Sequence, residues 1–424
     1  MPSHEQLLVF WLQLIVLLAV ARALGGLLRR FGQPAVVGEL AAGLLLGPSA
    51  FGRLAPAAQA WLFPGDPTQM AMLAAVGWIG AFLLMIVTGY ETDLRLIRQL
   101  GGATARVSLG SLVLPVLVGI ATGWAMPGDF RGPLGDRTVF ALFMGVALGI
   151  SALPVIAKIL SDLDLMRRNV GQITVAAAMA NDLAGWMMLG IVSALAASGR
   201  VDLRSLAVTV VGLALFLAVA FGAGQRGIDA LLRGVRRRRS GALGAASVMV
   251  PTALAAGAVT QAIGLEAVFG AFVAGILLGR SRFQEQDAFS ALHTVTVSFL
   301  APLFFASAGL RVDLALLAEP AVWRWGLVVL LAASVSKLVG AWLGAWLAGL
   351  PARERLALGT GLNARGAVEI VIATVGLSLG VLSAASYTVV VLMAMATSMM
   401  APPLLRWALA GWSGSREERE RLER

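Results

Sequence analysis

Two neighbouring polar residues, Asn181 and Asp182, lie in the middle of the otherwise apolar stretch "AAAMANDLAGW". A second buried charge, Lys337, is central in another apolar stretch. A charge at the centre of a membrane-spanning helix costs about 2.5–3.5 kcal/mol, so each is expected to face a partner charge or a water-filled cavity. The chemistry open to a carboxyl there is a competition, because desolvation favours its protonated form and a bound cation favours its carboxylate form.

Other ionisable residues also fall within apolar stretches, and the sequence leaves their roles open. Arg365 and Glu369 are four residues apart, so they either pair along one helix face or act together at a site. Glu39, near the inner end of its stretch, is expected to be structural or gating rather than ion-binding. A static ion pair between Asp182 and Lys337 is the structural alternative, although buried ion pairs contribute little net stability.

The composition indicates a polytopic membrane protein. Of the 424 residues 58% are hydrophobic and 13% charged, and the mean hydropathy is +0.85. Cysteine is absent and only His4 and His293 are present, so we expect no thiolate or histidine metal centre and no cofactor. The sequence contains no recognisable nucleophile motif or phosphate loop, which argues against an enzyme.

Thirteen apolar stretches are long enough to span a membrane, and we expect the first to be a retained span because no Lys or Arg precedes it. They lie near residues 7–28, 34–50, 71–89, 104–125, 138–160, 171–198, 205–223, 241–263, 266–281, 291–310, 324–349, 356–379 and 386–410. A short charged tail, 411–424, follows.

The distribution of basic residues predicts the orientation in a cell membrane. With the N-terminus outside, the inner loops, their flanking residues and the tail carry 23 Lys and Arg, and the outer loops carry 7. Cytoplasmic loops have this excess in membrane proteins, so the C-terminus is expected to be cytoplasmic. The net charge of +10 is therefore assigned to topology and lipid rather than to a nucleic-acid partner, and the inner cluster Arg233, Arg236, Arg237, Arg238 and Arg239 is expected to meet anionic headgroups.

The two halves of the chain contain copies of the same sequence pattern, which indicates an internal repeat. The stretch "VVGELAAGLLLGPS" at 36–49 matches "VFGAFVAGILLGRS" at 268–281 at eight of fourteen positions, and the next spans end in "GYETDL" and "GLRVDL". The copies are seven spans apart, an odd number, so the second copy crosses the membrane in the opposite sense. This predicts two inverted repeats, about 7–198 and about 241–410, joined by a linker helix at 205–223, an architecture of many secondary transporters.

Both repeats contain a candidate broken helix at the corresponding position. Span 5 contains "GISALPVIAK", in which Pro154 removes a backbone donor and Ser151 can bond to the freed groups. Span 12 contains "GTGLNARGAVEI", with three glycines around Asn363 and Arg365. Ordinary proline and glycine kinks are the simpler alternative for either stretch alone.

Three stretches resemble the monovalent cation:proton antiporters, specifically the Kef-like and plant cation/proton-exchanger branch of their second family: "GELAAGLLLGPS", "ALGISALPVIAKILSDLDLMRRNVGQITVAAAMANDLAGW" and "GLNARGAVEI". The resemblance implies the all-α Na⁺/H⁺ antiporter fold with crossing broken helices. It also implies a homodimer whose scaffold includes spans 1, 2, 8 and 9 and whose mobile core contains spans 4–6 and 11–13.

By the same resemblance Asp182 is the ion-binding, proton-carrying acid, Asn181 its polar neighbour and Lys337 a buried base. Ser151 and Asn363 are expected where the broken helices meet, with oxygens of Asp182, Ser151 and helix-end carbonyls as ligands for the cation. Family members with Asn before the acid tend to exchange one cation for one proton without net charge. A sodium-coupled organic-anion symporter and a potassium channel remain alternatives, although no "TVGYG"-like filter is present.

Overall fold

The protein is built from helices, in agreement with the predicted all-α class. The computed structural model describes residues 2–91, 101–163, 165, 168–198, 203–237, 241–263, 265 and 267–412. Ten helices of this part are long and apolar enough to cross a membrane, and three shorter apolar helices are Arg137–Gly149, Ala267–Arg280 and Val368–Ser378. Length and composition thus support ten spans directly, and the count of thirteen stays a prediction.

Some predicted features lie outside the described residues. They are Asp93 and Leu94 of "GYETDL", Arg238 and Arg239 of the basic cluster, and the tail after Trp412.

The chain forms two compact units, each assembled from both halves of the sequence. Unit 1 contains Met1–Arg22, Ala42–Asp93 and Trp186–Leu310, and unit 2 contains Ala23–Ala41, Leu94–Gly185 and Arg311–Arg424. Unit 2 therefore contains predicted spans 4, 5 and 11–13 and the first part of span 6, together with Ala23–Ala41 from spans 1 and 2. The division into scaffold and mobile core that the family resemblance implies stays a prediction. The repeat boundaries at 198 and 241 do not coincide with the unit boundaries, and they stay a prediction.

The helices follow in this order along the chain. They are α1 His4–Arg30, α2 Ala35–Leu46, α3 Phe51–Leu54, α4 Pro56–Leu62, α5 Pro67–Glu91, α6 Gly101–Ala125, α7 Arg137–Gly149, α8 Leu153–Asp162, α9 Asn169–Ser198, α10 Leu203–Val219, α11 Gln225–Arg237, α12 Gly241–Ala262, α13 Ala267–Arg280, α14 Gln286–Val295, α15 Ala301–Leu310, α16 Pro320–Leu347, α17 Ala352–Leu362, α18 Ala367–Ser378 and α19 Ala384–Ala408. Two π-helical turns, Ala220–Gly224 and Thr296–Leu300, join α10 to α11 and α14 to α15.

The linker helix is longer than its apolar composition predicts. The helix continues past the predicted span end at residue 223, because the π turn passes directly into α11, which ends at Arg237. The linker bounds 205–223 stay a prediction. This extension is amphipathic: Ile228 and Leu232 are buried, and the arginines lie among polar positions. A search for continuous apolar residues stops too early in such a helix, since only one face needs to be apolar.

The predicted internal repeat has equivalent packing in both copies. In unit 1, a side chain at Gly43 of α2 would overlap the carbonyl of Ala306 on α15, and one at Gly275 of α13 would overlap the carbonyl of Ile86 on α5. In each contact, the helix that carries the repeated sequence in one copy packs against the next span of the other copy. These pairs are α2 with α15 and α13 with α5. Glycine is needed at these positions because membrane helices associate through close backbone packing of small residues.

Replacing these glycines is expected to destabilise unit 1. Gly43→Ala or Gly275→Ala forces a methyl group against backbone atoms, and overpacking of this kind costs about 1–3 kcal/mol. The measurement is thermal unfolding of each purified variant in detergent. Gly26→Ala in α1 is the matched control, because a side chain there meets nothing within 4 Å. It should unfold at the same temperature as the wild type or higher, since alanine favours helix by about 0.5–1 kcal/mol over glycine; equal behaviour of all three variants would contradict the packing argument.

Candidate functional site

Two interrupted helices in unit 2 form the frame of the site, as the sequence predicted. The first span is divided into α7 and α8 by residues 150–152, and the second into α17 and α18 by residues 363–366. Pro154 lies in the first turn of α8, where a backbone N–H has no helical partner, so proline starts this half-helix rather than kinking a continuous one. The first half, α7, is capped by Asp136, whose carboxylate accepts a 2.8 Å hydrogen bond from Thr138 N–H, and this bond lowers the pKa of Asp136.

The two interruptions contact each other. The Ser151 hydroxyl donates to the carbonyl of Leu362 at 3.0 Å, and the backbone N–H of Ala152 donates to the carbonyl of Ala364 at 3.3 Å. Gly366 permits this approach, since a Cβ there would lie 2.6 Å from Val155 Cγ2. The contact brings Ser151 and the segment around Asn363 together, where the resemblance placed them.

Two buried cations bind the carbonyl end of α7. Lys337 Nζ donates to the Gly149 carbonyl at 2.5 Å, and Arg365 donates to the carbonyls of Ala147 and Leu148 at 2.8 and 2.5 Å. Both side chains have no exposed surface, and they meet the negative end of the helix dipole. These carbonyls are thus already bonded to the protein's own cations in this structure, and their role as ligands of a transported cation stays a prediction.

Asp182 lies on α9 beside the interruption of the first helix. Three residues further along α9, a side chain at Gly185 would overlap the side chain of Ile150, so α9 packs directly against the interruption. The Asp182 side chain is 1% exposed, and within the described part of the chain neither carboxylate oxygen accepts a hydrogen bond. The N–H of Leu153 lies near the carboxylate without meeting hydrogen-bond geometry. Asp182 is thus a buried carboxyl group whose two oxygens are available to a proton or a cation.

The surroundings of Asp182 contain charges of both signs. Lys337 and Glu369 are close enough to interact with its carboxylate electrostatically. No ion pair within 4.0 Å joins Asp182 to Lys337, since both carboxylate oxygens lack a partner among the described residues and the ammonium donates to Gly149. The static pair considered above as the structural alternative is therefore not formed in this structure.

Arg365 and Glu369 form a pair of their own. Arg365 Nη1 lies 4.0 Å from Glu369 Oε1, and the other carboxylate oxygen of Glu369 accepts the N–H of Gly366 at 2.8 Å at the start of α18. Both side chains are fully buried. Glu369 therefore has a helix N-terminus and a guanidinium as partners, which Asp182 lacks, and the role of the Arg365–Glu369 pair stays a prediction.

Asn181 is held by two serines that the sequence reasoning missed. Its amide lies 2.9 Å from the hydroxyls of Ser108 and Ser111 on α6, and each hydroxyl forms one hydrogen bond with it in either orientation of the amide. The signal was present in the sequence, because Thr104, Ser108 and Ser111 follow a helical spacing in an apolar stretch. Asn181 thus anchors α9 to α6, and the carboxyl of the next residue points to a different face.

Two predicted residues remain. Asn363 lies where the two interrupted helices meet, and Glu39 lies on another helix. Asn363 ends α17, is fully buried, and its amide atoms have no hydrogen-bond partner among the described residues. Glu39 lies on α2 against Gly25 of α1, since a Cβ at Gly25 would be 3.5 Å from its Oε1. The structure brings together Asp182, Ser151, Asn363, Lys337, Arg365 and Glu369, with Asn181 next to Asp182.

Removing the Lys337 ammonium is expected to destabilise unit 2. Lys337→Met keeps the apolar stem but leaves the Gly149 carbonyl unsatisfied, which costs about 1–3 kcal/mol. Leu338→Met, on the same helix, is the matched control and should cost less than about 1.5 kcal/mol. Thermal unfolding of both variants measures the difference. If the two unfold at the same temperature, the ammonium does not stabilise the end of α7.

A comparison with protein-family models gives one family over nearly the whole chain. The model described as "Sodium/hydrogen exchanger, transmembrane" matches residues 15–411. This range includes every residue of the site described above.

Individual proteins of similar sequence cover the same region. The chain is 30% identical over 400 residues to the Na⁺/H⁺ antiporter NhaS4 of Synechocystis sp., covering 94% of this chain and 97% of that protein. It is 32% identical over 409 residues to cation/H⁺ antiporter 15 of Arabidopsis thaliana, covering 95% of this chain and 48% of that protein, so it spans about half the length of this plant relative.

A solved structure has the same fold. The sodium proton antiporter MjNhaP1 from Methanocaldococcus jannaschii superposes with a TM-score of 0.60 over 96% of this chain and 98% of that chain, at 18% identity. The likeness shows the fold of the chain.

Proposed function

Because the chain belongs to the sodium/hydrogen exchanger family, we propose that it exchanges a monovalent cation, Na⁺ or K⁺, for a proton across a cell membrane. The observation that carries the proposal is the buried Asp182 carboxylate, which has no hydrogen-bond partner among the described residues although it lies between charged groups. The printed names of the two relatives, a Na⁺/H⁺ and a cation/H⁺ antiporter, support the same substrate class.

Competition for one carboxylate couples the two substrates. An ionised carboxylate without a partner is costly to bury, and either a proton or a bound cation removes that cost. The two cannot be bound by the same oxygens together, so release of one accompanies binding of the other. Ser151 and Asn363, at the crossing beside Asp182, supply further oxygens for a hard cation such as Na⁺ or K⁺.

The buried charges support exchange without net charge movement. Asp182, Glu369, Lys337 and Arg365 carry two negative and two positive formal charges when Asp182 is ionised. A proton and a monovalent cation each add one positive charge, so the two loaded forms have equal charge. A conformational change that exposes the site to the other face then carries the same charge in both directions.

The proposal includes the oligomeric state of the protein and the orientation of its two termini in the membrane. The excess of basic residues in alternate loops supports an outside N-terminus and a cytoplasmic C-terminus. The family resemblance supports a homodimer embedded in lipid. Cross-linking in native membranes and protease accessibility of each terminus test these two statements.

Reconstitution in liposomes tests the exchange itself. The purified chain is placed in vesicles that contain a pH-sensitive dye, and Li⁺, Na⁺, K⁺ or Rb⁺ is added separately, with and without a clamped membrane potential. We expect a cation-dependent pH change that saturates with one or two of these ions and does not depend on the potential. An organic-anion symporter would give no pH change on cation addition alone, and a channel would give current without proton movement; either result overturns the proposal.

A further inference from the structure

An apolar crevice in unit 1 is separate from the ion site. It is formed by the end of α10, the π turn Ala220–Gly224, α11, α12 and α13, and its volume is about 300 Å³. The side chains that line it are apolar apart from Thr252. A space of this size is at the lower end of the range for small-molecule sites.

The crevice exists because two positions that line it are glycines, which have no side chain to fill the space. Gly224 and Gly227 lie on its wall, and a side chain added at Gly227 would meet nothing within 4 Å. The π turn beside them widens the helix locally, a feature that is frequent at functional sites.

The rim of the crevice is open. Val219, Leu231 and Val259 line it and are 54%, 55% and 50% exposed. In a membrane-spanning helix, half-exposed apolar side chains face lipid chains or another protein. An apolar gap left empty would lose dispersion contacts with its lining, so we expect apolar atoms to fill it.

A positive charge lies at one end of the crevice. The α11 helix carries four exposed arginines within the described residues, namely Arg226, Arg233, Arg236 and Arg237, but by helical spacing they lie on the face opposite to its residues that line the crevice. Its acid, Asp229, accepts hydrogen bonds from Ser281 at 2.6 Å and Gln225 at 3.3 Å. Arg280, the last residue of α13, places its guanidinium 5.4 Å from the ring centre of Phe221 in the π turn.

We propose that the crevice binds one acyl chain of an anionic phospholipid, whose phosphate is held by Arg280 at the end of the crevice. The apolar lining fits the chain and the guanidinium fits the headgroup, so hydrophobic and electrostatic complementarity agree. The alternative occupant, a second copy of this chain, is less suitable. In a two-fold symmetric contact the same patch faces itself, which would place the Arg280 residues of both copies in one contact.

Lipid binding to delipidated protein tests the crevice. The full chain is purified in detergent, and phosphatidylglycerol or phosphatidylcholine with identical chains is added. Bound lipid per protomer is counted by native mass spectrometry, and thermal unfolding is followed in parallel. We expect phosphatidylglycerol to bind more tightly and to raise the unfolding temperature more than phosphatidylcholine does.

Two matched variants distinguish lipid that is bound in the crevice from lipid that is bound elsewhere on the protein. Gly227→Phe fills the crevice without a backbone clash and should lower the affinity for phosphatidylglycerol roughly tenfold, since displacing two buried methylenes is sufficient. Gly234→Phe, on the same helix, also meets nothing within 4 Å but does not line the crevice, and it should bind lipid like the wild type. Arg280→Gln should reduce the preference for phosphatidylglycerol over phosphatidylcholine.

Three results would overturn the proposal. The first is equal binding of both lipids by the wild type, which would remove the role of Arg280. The second is unchanged lipid binding in Gly227→Phe, which would place the lipid elsewhere. The third is conversion of a dimer to a monomer by Gly227→Phe alone, which would assign the crevice to a second copy of the chain.

Discussion

Asp182→Asn is expected to reduce cation-dependent proton transport to the level of protein-free vesicles. The amide has nearly the same shape as the carboxyl, but it neither takes up a proton nor neutralises a bound cation. The fold should persist, because the substitution removes an ionised group that has no hydrogen-bond partner among the described residues. The expected change in the free energy of unfolding is between zero and about 1 kcal/mol in favour of the variant.

The measurement combines the liposome assay with thermal unfolding of the same preparation. Asp136→Asn is the matched control, because Asp136 is an exposed cap of α7 and asparagine caps helices equally well. This control should transport like the wild type. Normal exchange by Asp182→Asn would remove Asp182 from the mechanism.

Arg365→Ala is expected to cause the largest loss of stability among the variants considered. It leaves the carbonyls of Ala147 and Leu148 without donors and leaves Glu369 buried without its guanidinium. Removing one partner of a buried charge pair costs about 3–5 kcal/mol. Arg365→Lys should recover only part of this, since one ammonium does not reproduce two parallel N–H donors.

Chemical and thermal unfolding of the purified variants measures this effect. Arg353→Ala, in the first turn of α17, removes an exposed arginine and should change the free energy of unfolding by less than about 0.5 kcal/mol. Adding Glu369→Gln to Arg365→Ala should recover part of the loss, because the unpaired carboxylate is then absent. If Arg365→Ala is as stable as Arg353→Ala, the guanidinium does not hold the end of α7.

The sequence by itself determined the all-helical membrane class, the two interruptions and the buried charges. These features are local: a run of apolar residues predicts a span, Pro154 predicts a break, and a charge such as Asp182 stands out against apolar neighbours. The internal repeat was also readable, since the glycines that allow close helix packing recur at matching positions.

Only the tertiary structure decided which partner each buried polar group has. Spacing along one helix could suggest the pair of Arg365 and Glu369, but no local pattern assigns Lys337 to a carbonyl 188 residues away. The same limit applied to Asn181, whose serine partners are on a separate helix. Each buried group binds the nearest complementary group in space, and packing of helices distant in sequence sets that distance. The Asp182 carboxylate became distinguishable from the other buried charges only when their partners were known.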